Sequence, residues 1–126
     1  MASASQAVQR LLALLIVVGV ASQFFLAAAG AFGATSYSSH KAVGYALVIA
    51  ALVALVVSLA ARRHVLPSLM LVAAAVVQVV LGGLGTSSSS WFGAFHGLNA
   101  LVVMGTAGNL ARRTARGQSA RPAPLS

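Results

Sequence analysis

The chain has no aspartate, no glutamate and no cysteine. With no carboxylate side chain, its 126 residues offer no Asp/Glu general acid or base, no oxygen-rich metal site and no glutamate-coupled proton exchange. With no cysteine they offer no disulfide, thiolate ligand or thiol nucleophile. Charge is scarce altogether, at 6% of residues, where a soluble domain carries about 25%. Hydrophobic residues make up 60%, and the mean hydropathy is +0.96. So short a chain has too little interior to hide that much apolar surface. Its natural solvent is a lipid bilayer.

What charge there is comes to +8. The basic residues stand at the ends of apolar runs, where they act as topology signals and not as a nucleic-acid footprint. A span needs about 20 apolar residues, and four fit, at about 6–32, 39–61, 67–85 and 91–110. The first is long enough to cross a bilayer, so it reads as a retained span and not a signal peptide. Pro67 suits a first helical turn. Residues 114–126 are polar and Pro/Gly-bearing and read as a disordered tail.

In lipid the backbone must pair its own polar groups, which selects helices, and short loops favour antiparallel neighbours. The expected fold is all-α: a transmembrane up-down-up-down four-helix bundle over residues 1–113. Arg10, Arg62, Arg63, Arg112, Arg113, Arg116 and Arg121 fall on one face, and Lys41 stands alone on the other. The positive-inside rule puts both termini, and the tail, in the cytoplasm. Tyr37 and Trp91 then suit the outer interface.

The chain repeats itself. Gln23 is followed by a glycine-ended apolar run, a Ser/Thr-rich loop and His40; Gln78 is followed by the same parts and His96. Each second span ends in Ala-Arg-Arg. A duplicated hairpin accounts for this, and both copies start on the same side, so the repeat is parallel with a pseudo-two-fold axis along the membrane normal. That symmetry predicts His40 and His96 facing each other, about one turn inside the outer interface. Two histidines converging in a dry four-helix interior can ligate a heme iron axially. Gly44 and Ala100 lie four residues after His40 and His96, on the same helix faces, and their small size is expected to leave room for a flat macrocycle.

Lys41 reads either as a partner for a heme propionate or as a cation snorkelling to the interface. Gln23 and Gln78 read as interhelical hydrogen-bonding groups or as ligand contacts. Three histidines with no Cys, Asp or Glu leave zinc short of ligands, and His64 falls on the other side.

The ordered motifs SQFFLAAAGAFG, SHKAVGY, VQVVLGGLG and FHGLNAL resemble those of a family of small bacterial four-helix membrane proteins of unknown function, across nearly all of residues 8–113. More distantly, the pattern is similar to one four-helix half of heme A synthase. That resemblance implies a histidine pair on the second and fourth helices, here His40 and His96, and a Gln-x-x-Leu-Gly pattern on the third, here Gln78–Gly82. It also implies a basic residue at Lys41. A catalytic glutamate is implied three residues before the first histidine; this chain has Tyr37 there, which removes the basis for heme hydroxylation.

The reading is therefore a multi-pass protein of the bacterial inner membrane that binds b-type heme between His40 and His96, for electron transfer or heme handling. No catalytic residue is assigned. The alternatives are a cofactor-free accessory or assembly subunit of a membrane complex, and a bundle that binds or transports a small molecule such as a quinone.

Overall fold

A computed structural model describes residues 4–119. They form four helices: α1 (Ala4–Ala31), α2 (Tyr37–Ala61), α3 (Val65–Ser87) and α4 (Ser90–Ser119). No strand occurs among the described residues. Each helix packs against two others, α1 on α2 and α4, and α3 on α2 and α4. The result is a four-helix ring, the expected bundle.

The first three helices are each long and apolar enough to cross a membrane. At about 1.5 Å per residue, even the 23 residues of α3 reach about 35 Å, more than the roughly 30 Å of a hydrocarbon core. The fourth does not meet the same measure, because His96, Asn99, five glycines and its terminal arginines dilute it. It also runs further than expected. Residues 114–119, assigned above to a disordered tail, are helical. The cause is packing: Ala111 and Thr114 are still buried, so the inward face of the helix has partners beyond residue 110. The rest of the proposed tail, residues 120–126, lies outside the described residues.

The connections are tight. After α1 the chain turns through Gly33, whose φ of +75° suits glycine, while Ala34 and Thr35 donate backbone bonds to Ala29 as helix C-terminal carbonyls require. Between α2 and α3 both Arg62 and His64 hold left-handed backbone conformations. Gly85 lies directly against the backbone of Gly93, so α3 and α4 meet at their loop with no side chain between them.

Eight of the thirteen buried apolar residues are alanine. Small residues inside let helices approach closely; Ile16, Leu71 and Leu110 are the largest apolar side chains fully buried, and many other large ones turn outward, as Val18, Phe25 and Leu66 do. The core also records the duplication. Gln23 and Gln78 are 55 positions apart, and the same spacing joins buried Ala13 to Ser68, Ile16 to Leu71 and Val20 to Ala75. His40 and His96 are 56 apart, and that spacing joins buried Ala51 to Ala107, Ala54 to Leu110 and Ser58 to Thr114.

All of this core lies toward the arginine end. No residue in 21–50 or 76–99 is buried. The half of the bundle that carries the paired Gln and His residues has no packed side-chain core of its own.

Candidate functional site: a histidine pair across the bundle

His40, on the first turn of α2, and His96, near the start of α4, meet across the diagonal of the ring. Their ring centres are 5.9 Å apart with an interplanar angle of 62°. Both are partly buried.

His96 is held firmly. Its Nδ1 is 2.8 Å from the backbone carbonyl of Gln78. A carbonyl only accepts, so Nδ1 carries the proton and Nε2 keeps its lone pair. Nε2 in turn faces the Gln78 side-chain amide Nε2 at 3.2 Å, which donates to it. Gln78 is itself oriented by Asn99, whose Nδ2 donates to Gln78 Oε1 at 2.7 Å and to the Ala74 carbonyl at 2.9 Å. The ring sits in a notch at Gly82, where an added Cβ would come within 3.0 Å of Nδ1. With Nδ1–H tied to a carbonyl, Nε2 is the acceptor atom of the ring; here the Gln78 amide occupies it, and it becomes a metal ligand only when that amide turns aside.

The other half is looser. His40 lies against the backbone of Gln23 and edge-on to Tyr37, 6.3 Å between ring centres. Its Nδ1 is buried and outside hydrogen-bond geometry, as is Gln23 Oε1. The duplication explains the difference. The counterpart of Asn99 in the first hairpin is Val43, and the counterpart of Gly82 is Ala27. The first copy therefore has neither the amide that would satisfy its glutamine nor the notch that would seat its histidine.

Two expected details come out differently. The space beside Gly44 is filled by the Gln23 amide, 2.9 Å from an added Cβ, and Ala100 is packed into the core at 7% exposure; neither leaves a free slot. Lys41 is exposed.

The sequence reading missed a second polar layer at the arginine end. Gln9 Nε2 donates to Ser58 Oγ at 2.7 Å, and Ser58 Oγ lies 2.6 Å from Ser68 Oγ. Gln6, Gln9, Ser58, Ser68 and Thr114 are all essentially fully buried. The only advance signal was Gln6 and Gln9 inside an apolar span. His64, on the loop beside this layer, has its pKa held below the ordinary histidine value by burial and by Arg63 and Arg113.

Among the described residues, no three His, Cys, Asp or Glu side chains gather as a metal site. A bare ion would lack ligands here, whereas an axial pair needs only two.

Fold and composition together define a helical bundle of the membrane type. Residues 23–86 match a family of unknown function, DUF6220, and the chain belongs to that family. The matched stretch begins at Gln23, takes in His40 and Gln78, and stops before His96. No curated protein and no solved structure matches the chain.

Proposed function

We propose that the protein binds a planar tetrapyrrole, b-type heme, between His40 and His96. The reading carries with it four membrane spans, a bacterial inner membrane and an arginine end facing the cytoplasm. The observation that carries it is the separation of the two rings, in the half of the bundle that buries no side chain. His40 and His96, whose ring centres are 5.9 Å apart, would hold the iron once the Gln78 amide leaves His96 Nε2. When bound, heme would supply one-electron chemistry, and filled axial positions favour electron transfer over oxygen activation.

The chain's own residues do the rest. Gln78 and Asn99 fix the tautomer and direction of His96, and Gln23 backs His40. The motif likeness to a half of heme A synthase points the same way, and Tyr37 in place of that family's glutamate favours a holding or relaying role over hydroxylation. The test is a hemin titration of the purified protein in detergent. The expected result is a one-to-one, six-coordinate low-spin complex that turns high-spin or is lost in both His40→Ala and His96→Ala. Equal binding by the wild type and both variants would sink the reading.

A further inference from the structure

An open groove of about 530 Å³ runs between α1 and α4 toward the arginine end. Its walls are Leu14 and Val17 from α1 and Leu101 and Met104 from α4, with Gly105 and Gly108 along its floor. At either glycine an added Cβ would meet nothing within 4 Å, so this is space that no side chain of the described residues fills. Arg10 and Arg112 close the end of the groove. Arg112 also lines the neighbouring recess formed with His64, Asn109, Arg113 and Arg116.

We propose that this groove is a binding site for one anionic phospholipid. One acyl chain lies along Leu14, Val17, Leu101 and Met104, and the headgroup phosphate sits between Arg10 and Arg112. Two observations fix the occupant. The groove is apolar along its length and basic at one end, the polarity of an anionic lipid. The chain holds eight cations and no acidic side chain, so a second copy docking here would bring arginine against arginine. From Leu101 to Arg112 the groove follows eleven helical steps, about 16 Å at 1.5 Å per residue, which is the length of an acyl chain reaching from the interface into one leaflet. Arginine suits the phosphate because its planar fork binds two oxygens at once.

Native mass spectrometry of the full chain in detergent, with phosphatidylglycerol or phosphatidylcholine added, tests this. The expected result is one retained phosphatidylglycerol in preference to phosphatidylcholine, and no retention of glycerol 3-phosphate. Gly108→Leu should abolish retention by filling the groove while leaving the helix intact, since leucine is the better helix former. Arg10→Gln and Arg112→Gln should each weaken retention about fivefold, near the worth of one cation at an anionic surface. Equal retention of the two lipids, retention unchanged in all three variants, glycerol 3-phosphate binding alone, or a dimer abolished by Gly108→Leu would each overturn the proposal.

Discussion

Ser58 holds the deeper polar layer together. It accepts from Gln9, shares a hydrogen bond with Ser68 and donates to the Ala54 carbonyl of its own helix. Ser58→Ala removes the first two at once and leaves Gln9 Nε2 short of its nearest partner. Hydrogen bonds between membrane helices are worth about 0.6 kcal/mol each and up to about 1.7, so the variant should lose about 1–2 kcal/mol, read as a lower unfolding midpoint in detergent; Ser22→Ala, whose hydroxyl bonds only its own helix, should lose little. His64 predicts a pH effect. Its pKa in the folded protein lies below the ordinary value of about 6.5, so the folded state resists protonation. Above pH 6.5 the group is neutral in both states and contributes nothing. As pH falls through 6.5 the unfolded chain takes up the proton first, and stability is lost until the folded pKa is passed. The unfolding midpoint should therefore drop between pH 7.5 and 5.5, and His64→Gln should flatten that drop; an unchanged slope would remove His64 as its source. At this scale the sequence was partly legible. The paired Gln and His stood out because polar groups are rare inside apolar runs. Ser58, Ser68 and Thr114 did not, because a helical hydroxyl can bond its own i−4 carbonyl, as Ser58 and Thr114 do, and the sequence leaves no mark of whether it is also buried or reaches a neighbour.

At the scale of elements, the two hairpins are the same device at two degrees of completion. Their glycines are not interchangeable. An added Cβ at Gly85 would fall 2.7 Å from the backbone nitrogen of Gly93, whereas one at Gly83 would meet nothing within 4 Å. Gly85→Ala must push α4 away and should cost about 1–3 kcal/mol. Gly83→Ala should be neutral or stabilise by up to about 1 kcal/mol through helix propensity. Comparison of the two unfolding midpoints checks the close α3–α4 crossing directly; equal effects would contradict it. The number and order of helices could be read from hydropathy, as could their short loops. The ends could not. Helix α4 runs past residue 110 with Ala111 and Thr114 buried, and burial is information about packing that local composition does not carry. The Gly44 expectation failed for a related reason: a small residue signals close approach without saying which neighbour fills the space, and here it is Gln23.

As a whole molecule the bundle is divided lengthwise. The arginine half carries the alanine core and the buried hydroxyls, with a basic rim and the groove between α1 and α4. The other half carries the histidine pair and no buried side chain. It is the half in which heme binding is proposed, between the two facing histidines. The most direct test is the visible spectrum of the detergent-purified protein, expressed with ample heme, first oxidised and then reduced with dithionite. Heme held by the two histidines would give a sharp Soret band and, on reduction, a narrow α-band, with both lost in the double variant His40→Ala/His96→Ala. A featureless visible spectrum, or one that the double variant keeps, would contradict it.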